Sequence, residues 1–117
     1  MADHNTLGER GEQEAVKYLE EKGYSILERN WRFRHEEIDI IAEAGDHIAI
    51  VEVKARTNRN YGSPSEFVSL TKQAHLIKAA NAFADQYNVT KDIRFDVISI
   101  VFKPDFSLEH ICEAFYP

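Results

Sequence analysis

The chain has 117 residues, a formal net charge of −6 and one cysteine, Cys112. A chain of this length can bury an adequate core without disulfides or structural metal, so we predict a single domain over residues 1–117. One cysteine excludes a disulfide framework and a cysteine-based zinc site, and no apolar run is long enough to cross a bilayer. The N-terminus lacks the basic start and apolar stretch of a secretory signal. We therefore expect a cytoplasmic protein with no membrane partner.

The distribution of charge qualifies what the net charge suggests. An acidic total argues against a protein that coats nucleic acid. The cations, however, fall into two groups, namely Arg29, Arg32, Arg34 and His35, and Lys54, Arg56 and Arg59. Acidic residues concentrate in 9–21 and 36–46. A basic groove with acidic flanks and an ordinary solvated surface are both consistent with this distribution.

Hydrophobic periodicity predicts an α-β-β-β-α-β order with a candidate terminal strand. Thr6 and Glu9 have the spacing of a capping box, and Gly23 suits the position after a helix end. The predicted bounds are a helix over 7–22, strands over 24–33, 37–43 and 47–56, a loop over 57–65, a helix over 66–87, and strands over 93–102 and 108–115. This order predicts an α/β sheet with a helix on each side of a β-meander.

Charged residues share a face with isoleucines in the hairpin of strands 37–43 and 47–56, which is unusual for a solvent-facing surface. A two-residue loop at Gly45-Asp46 would set the register of the two strands. In that register Asp39 lies directly opposite Glu52, with the Cβ atoms roughly 4.5–5.5 Å apart. A four-residue loop gives the same register, whereas a three-residue loop shifts it by one and separates the two carboxylates.

Two carboxylates at that separation repel each other unless a cation lies between them. Mg²⁺ or Mn²⁺ suits this position, because hard divalent cations take carboxylate and water oxygens. Lys54 follows Glu52 on the same face, where its ammonium could orient an attacking water or stabilise charge on a phosphate. The alternative is a cross-strand Glu37–Lys54 ion pair beside solvated Asp39 and Glu52. The pattern alone does not decide between these interpretations.

Two further acidic residues interrupt apolar patterns. Glu12 lies within the apolar stripe of the first helix, where a carboxylate usually needs a metal or a basic partner. Alternatively, Glu12 lies at the edge of the stripe and reaches water or pairs with an arginine. Asp96 is expected to be structural, pairing with Arg94 or with an arginine of the 29–34 group. The histidines show no zinc-like spacing, and no phosphate-cradling glycine loop is present.

Several strings carry a resemblance to a known family. GERGEQEAVKYLEEKGYSILERNWR, EIDIIA, IVEVKAR, YGSPSE and RFDVI, from about residue 7 to residue 100, resemble the YraN-like family of bacterial proteins. That family is similar to the Holliday-junction resolvases and to the restriction-endonuclease-like PD-(D/E)XK nucleases. The resemblance implies a core of α-β-β-β-α-β order, with a central mixed sheet flanked by helices.

The resemblance also assigns residues by position. It places a metal-binding aspartate on Asp39, an ExK element on Glu52 and Lys54, an early helical acid on Glu12, and a family lysine on Lys72. One departure is visible at position 36, where the family usually has glycine and this chain has Glu36. The substitution adds a charge beside the site and leaves the expected ligands intact.

The resulting expectation is a Mg²⁺- or Mn²⁺-dependent endonuclease acting on DNA. Asp39, Glu52, Glu12 and the carbonyl of Val53 would hold the metal, and Lys54 would help to position water. Residues expected to contact the phosphate backbone are Arg32, Arg34, Arg56 and Lys72. Because no motif for reading bases is present, we expect recognition of shape, such as a branch, a flap or an end.

Other functions and assemblies remain open at this stage. The acidic net charge favours a catalytically inactive module that binds nucleic acid or another protein, and RNA is an alternative substrate. A homodimer would suit a four-way junction, which presents two equivalent strands. Tyr116 is expected in the core of the monomer or, alternatively, at an interface.

Overall fold

The computed structural model describes residues 6–58 and 68–117. Its elements are α1 (Leu7–Glu21), β1 (Ser25–Phe33), β2 (Glu36–Ala44), β3 (His47–Arg56), α2 (Leu70–Gln86), β4 (Asp92–Val101) and β5 (Ser107–Phe115). The five strands form one sheet in the order β1-β2-β3-β4-β5. Among the strands of the described residues, only β3 and β4 pair in parallel, and α2 lies in the crossover that a parallel pair requires. The predicted α-β-β-β-α-β order and the terminal strand are confirmed.

Local signals explain where the helices begin and end. The predicted capping box is present, because the Glu9 amide donates to Thr6 Oγ1 at 3.0 Å and the Thr6 amide donates to Glu9 Oε1 at 2.8 Å. Gly23 follows the helix with a φ of +95°, as the prediction required. The second helix begins later than predicted, at Leu70, because Ser69 is its N-cap and accepts from the Lys72 amide.

Part of the predicted loop and of the second helix lies outside the described residues. The undescribed stretch 59–67 contains Arg59, the string YGSPSE and the first two positions of the helix predicted from 66. Of the loop predicted over 57–65, only residues 57 and 58 are described.

Each face of the sheet packs against one helix. Ala15 and Leu19 of α1 belong to a buried cluster with Ala49 and Val51 of β3. The opposite cluster contains residues of α2 and the alternate positions of β3, with the members Leu76, Ala79, Ala80, Phe83, Ile48 and Ile50. A helix on each side of the sheet is therefore confirmed. One face of β3 carries both isoleucines and charged residues, as predicted. The isoleucines of this face, as far as Ile50, pack under α2, and Glu52 and Lys54 follow on the same face beyond them.

The hairpin of β2 and β3 has the predicted register but a shorter ladder. Ala44 pairs with His47 across the two-residue loop Gly45-Asp46, and pairing continues as far as Ile40 and Val51. Beyond that pair, β2 stays bonded to β1 and β3 stays bonded to β4. The prediction that Asp39 and Glu52 form a ladder pair is therefore wrong. Instead, they lie one position beyond the last pair, at a fork where the sheet opens between β2 and β3.

Close packing fixes α1 over the fork. A Cβ at Gly11 would lie 2.6 Å from the Cβ of Ala55, so only glycine lets the helix approach β3 at this depth. The helix thereby brings Glu12, the next residue, over the sheet. At the other end of the chain, Tyr116 is 70% exposed, so the expectation that it is buried in the core is wrong. Within the described ranges, no helix has the length and apolar character needed to span a membrane.

Gly11→Ala tests the close packing of α1 on β3. Because the added methyl group would meet Ala55, we expect the free energy of unfolding, measured by urea denaturation, to fall by ~1–3 kcal/mol. Gly8→Ala is the matched control, since its Cβ would meet nothing closer than Thr6 Oγ1 at 3.9 Å. A loss in Gly8→Ala as large as the loss in Gly11→Ala would contradict the packing argument.

Candidate functional site

Asp39 bridges the fork between β2 and β3. Its Oδ2 accepts a hydrogen bond of 2.8 Å from the amide of Val53. The carboxylate therefore accepts the hydrogen bond that a backbone carbonyl of β2 would have accepted if the ladder had continued. In an extended strand the N–H and C=O of one residue point to the same edge. The Val53 carbonyl accordingly faces the same gap, which agrees with its predicted place among the oxygen donors.

The fork concentrates negative charge on partly buried side chains. Burial, together with the negative charge of Glu52, raises the pKa of Asp39 to about 7, although the Val53 hydrogen bond opposes the shift. Glu12 on α1 and Glu37 on β2 add to the increase. These contributions indicate that the carboxylates lie close enough to interact and that their counter-charge is insufficient.

Cations approach the fork from the α2 side. Burial raises the pKa of Glu52, with a further increase from Glu36, while Lys72 and Lys54 oppose the shift. Burial works against the charged form of Lys72, but its hydrogen bond with Glu36 and the charges of Glu52 and Asp39 outweigh burial and raise its pKa. Lys54 and Lys72 therefore both lie within electrostatic reach of Glu52.

Glu12 is buried, with 9% of its surface exposed, and it has basic and amide partners. Its Oε1 accepts from Asn30 Nδ2 at 2.8 Å and from Arg29 Nη2 at 3.3 Å. The sequence alternative of an arginine partner is thus confirmed. Asn30 has a φ of +53°, a conformation that asparagine tolerates within an interrupted strand. The negative charge of Glu12 still contributes to the raised pKa of Asp39. Glu12 acts from the α1 face of the sheet, whereas Lys72 acts from the α2 face.

The donor set at the fork fits a hard divalent cation. It consists of the oxygens of Asp39 and Glu52 and the carbonyl of Val53, and such ions prefer oxygen ligands. Within the described ranges, Asp39, Glu52 and Glu12 do not bring one ligand atom each within 4.8 Å of one another. Of the two glutamates, Glu52 has the larger effect on the pKa of Asp39, and Glu12 is held by Asn30 and Arg29. We therefore interpret Asp39 and Glu52 as the principal pair and Glu12 as a charged neighbour.

The predicted backbone-contacting cations differ in their surroundings. Arg32 is exposed, and its Nε lies 3.8 Å from Glu37 Oε2. Arg34 follows β1 with a φ of +59° and stacks its guanidinium on Phe33 at 5.2 Å from the ring centroid. Arg56 ends β3 on the face of Glu52 and Lys54, and its Nε is buried without a hydrogen-bond partner among the residues described. Lys72 is the member of this group that interacts electrostatically with both Asp39 and Glu52.

Two neighbours of Lys72 were not assigned from the sequence. Its Nζ lies 2.7 Å from Glu36 Oε2, and His75 Nδ1 lies 3.0 Å from Glu36 Oε1. His75 is three positions after Lys72 on α2, a spacing that places two side chains on one helix face. That spacing could have indicated His75, whereas the contact with β2 could not be inferred without the sheet.

Asp96 belongs to a separate cluster. As predicted, it pairs with Arg94, through Oδ1 at 2.9 Å and Oδ2 at 2.8 Å. Burial raises the pKa of Asp96, but hydrogen bonds from His110 and Arg94 outweigh burial and lower it. The ligand atoms of Asp96, His110 and Cys112 lie within 4.8 Å of one another. A metal ion there would have to displace the guanidinium, so we interpret the cluster as a structural link between β4 and β5.

Comparison with known proteins gives a consistent family assignment. The profile of the uncharacterised protein family UPF0102 matches residues 11–100. A UPF0102 protein of Bacteroides thetaiotaomicron is 45% identical over 100% of this chain and 98% of its own length. A UPF0102 protein of Flavobacterium psychrophilum is 45% identical over 99% and 98%, and one of Chlorobium chlorochromatii is 44% identical over 94% and 91%. These names carry a family and no activity.

The raised pKa of Asp39 predicts how the stability of the metal-free protein depends on pH. The pKa of an unfolded aspartate is about 3.9, whereas the pKa of the folded Asp39 is about 7. Between these values the folded state holds a proton that the unfolded state has lost, so the free energy of unfolding falls as pH rises through this window. We expect Asp39→Asn, which keeps an acceptor for the Val53 amide, to be more stable than the wild type at about pH 8 in EDTA. Urea denaturation at several pH values measures this.

The advantage of Asp39→Asn should shrink as pH falls towards about 4, where the folded carboxyl is protonated and about half of the unfolded carboxyls are protonated as well. An advantage of the same size at both pH values would contradict the electrostatic explanation. Glu43→Gln, at the far end of β2, is the control for a general reduction of negative charge.

Arg94→Met tests the structural interpretation of the Asp96 cluster. Removing the guanidinium leaves a fully buried carboxylate with reduced compensation, so we expect a loss of about 3–5 kcal/mol in the free energy of unfolding. Chemical denaturation provides the measurement. A loss below about 1 kcal/mol, the worth of a surface ion pair, would show that the cluster is not a structural link.

Proposed function

Because this chain belongs to the uncharacterised protein family UPF0102, the YraN-like family, we propose its function from the site itself: a divalent-metal-dependent endonuclease that hydrolyses phosphodiester bonds of DNA. The observation that carries the proposal is the pairing of Asp39 and Glu52 at the fork. Both carboxylates are partly buried and have raised pKa values, and Lys72 lies within electrostatic reach of both. Carboxylates arranged in this way favour a divalent cation and an anionic substrate.

Asp39, Glu52 and the Val53 carbonyl would hold Mg²⁺ or Mn²⁺, and Glu12 would supply further negative charge. When bound, such an ion polarises a phosphate oxygen and lowers the pKa of water. The hydrogen bond from the Val53 amide fixes Asp39 in place. Because this bond joins the two strands of the fork, it also sets the position of Glu52 and Lys54 relative to Asp39.

The lysines perform the remaining chemistry. Lys54 follows Glu52 on the same face of β3, and its ammonium would donate hydrogen bonds to the attacking water and orient it. Lys72 approaches from α2 and would stabilise the negative charge that develops on the phosphate. Positively charged donors that are already in place lower the barrier without reorganising during the reaction.

The proposed substrate is DNA recognised by its shape. Arg32, Arg34 and Arg56 would contact phosphates, and such contacts position a duplex without reading its sequence. The net charge of −6 limits general attraction to nucleic acid, so binding depends on the few cations around the site. A branched or nicked substrate and a homodimer with two sites belong to this proposal. The single exposed thiol, Cys112, suits the reducing cytoplasm, where we place the protein.

A second candidate is a module on the same fold that binds nucleic acid or protein without turnover. The ion pair of Lys72 with Glu36 favours it, because that lysine is already engaged. The two candidates differ in whether bound DNA is cut when a divalent metal is supplied.

Cleavage assays with Mg²⁺ or Mn²⁺ on four-way, flap and linear DNA, with matched RNA, test the proposal. We expect a branched or nicked DNA to be cut. Asp39→Asn, Glu52→Gln and Lys54→Met should each reduce the rate by at least ~100-fold while the fold is retained. The matched control is Glu43→Gln, which removes a carboxylate paired with Lys91 at the far end of the same strand as Asp39.

Cleavage that survives both Asp39→Asn and Lys54→Met would exclude this site as catalytic. Binding of DNA without cleavage by either metal would favour the module, and cleavage confined to RNA would change the substrate class.

A further inference from the structure

Glu36 accepts from two side-chain donors beside the fork, Lys72 and His75. Its two carboxylate oxygens are divided between them, with Oε2 at 2.7 Å from Lys72 Nζ and Oε1 at 3.0 Å from His75 Nδ1. The side chain of Glu36 is 16% exposed, whereas His75 is 53% exposed. The carboxylate thus lies beneath two donors whose outer sides face solvent.

Without Glu36, the side chains of Lys72 and His75 would present two donors to an anion. Lys72 and His75 are three residues apart on one face of α2, near its N-terminus. The first turn of α2 contains no acidic residue, although the helix dipole favours negative charge there. The anion at this position comes from another element, β2. A nonbridging pair of phosphate oxygens could take the same two donors, because carboxylates and phosphates accept from the same cationic groups.

We propose that Lys72 and His75 form a phosphate-binding subsite, and that Glu36 occupies it until a backbone phosphate of the substrate replaces the carboxylate. This inference rests on the proposed function, since it concerns the strand that the fork would cut. Lys72 links the two sites, because it contacts Glu36 directly and lies within electrostatic reach of Asp39 and Glu52.

The surface beyond the subsite is suited to a polyanion. Glu36 and His75 share the lining of a cavity with Phe33 and three basic side chains, which are Arg34, His35 and Lys78. A second cavity extends along α2, shares Phe33, Arg34 and Lys78 with the first, and is also lined by Asp85. A strand whose phosphate occupies the subsite would therefore pass Arg34 and Lys78 where the two cavities meet.

Occupation by Glu36 has a consequence for selectivity. An incoming phosphate must break the contacts of Glu36 with Lys72 and His75 before it gains its own, so the subsite adds little affinity for a substrate that is held nowhere else. A substrate that is also bound by Arg34 and Lys78 can complete the exchange. The carboxylate would thus discriminate against nonspecific anions, which is specificity by a competing contact.

Glu36→Gln tests the inference in a binding assay without divalent metal. Fluorescently labelled four-way and linear duplex DNA are titrated in EDTA over a series of salt concentrations. We expect tighter binding by Glu36→Gln and a plot of log affinity against log salt that is steeper by about 0.9, the slope of one phosphate contact. In the wild type, the carboxylate that the phosphate displaces takes up a cation and offsets the release of that counterion. Adding Lys72→Gln to Glu36→Gln should return both quantities to about the wild-type values.

Glu43→Gln controls for the change in net charge. Like Glu36→Gln, it removes from β2 a carboxylate that is paired with a lysine, but Glu43 lies at the opposite end of that strand. Equal gains in Glu43→Gln and Glu36→Gln would overturn the subsite. If Glu36 only stabilises α2, Glu36→Gln lowers the melting temperature and leaves the salt slope unchanged. That result would also overturn the subsite. Weaker or absent DNA binding by Glu36→Gln would overturn it too.

This binding assay in EDTA, combined with the cleavage assay in Mg²⁺ or Mn²⁺, separates this inference from the proposed function. A gain in DNA binding by Glu36→Gln, with no cleavage in Mg²⁺ or Mn²⁺ by any variant, supports the subsite and contradicts the nuclease. Metal-dependent cleavage by the wild type, with unchanged binding by Glu36→Gln, supports the nuclease and contradicts the subsite.

Discussion

The hydrogen bond from the Val53 amide to the carboxylate of Asp39 holds the site together. It joins β2 to β3 at the place where their backbone ladder has ended, and thereby keeps the fork at a fixed width. Without it, two strands carrying negative charge would be free to separate. The bond also explains why an aspartate withdrawn from water is accommodated here, since a backbone donor compensates part of the loss of hydration. Every other group at the site is placed relative to this contact.

The two helices give the fork different kinds of charge. On one face, the close approach at Gly11 brings the buried Glu12 over the sheet. On the other face, α2 supplies Lys72. The balance at Asp39 remains negative, because burial and neighbouring carboxylates raise its pKa to about 7. A divalent cation would relieve this imbalance, so the electrostatic cost that the site imposes on the metal-free fold would be offset when an ion binds the folded state.

Local chemistry determined the parts of the structure that the sequence predicted well. The capping box, the glycine after α1 and the two-residue turn at Gly45-Asp46 fixed the elements and the hairpin register. The end of the ladder was not predictable, because it depends on a side chain replacing a backbone acceptor. The same limit applies to Glu36, whose partners lie on α2 across the sheet. Pattern therefore located the acidic pair, but packing decided which groups surround it.

Paramagnetic broadening by Mn²⁺ in an NMR titration of the ¹⁵N-labelled protein tests the central claim, a divalent cation at the fork, most directly. Broadening falls steeply with distance from the ion, so it locates the ion independently of any activity. The account predicts that the amide signals of Val53 and Glu52 broaden first and that Asp39→Asn removes this effect. Broadening that begins instead at His110 and Cys112, or that spares Val53 in the wild type, would contradict the account.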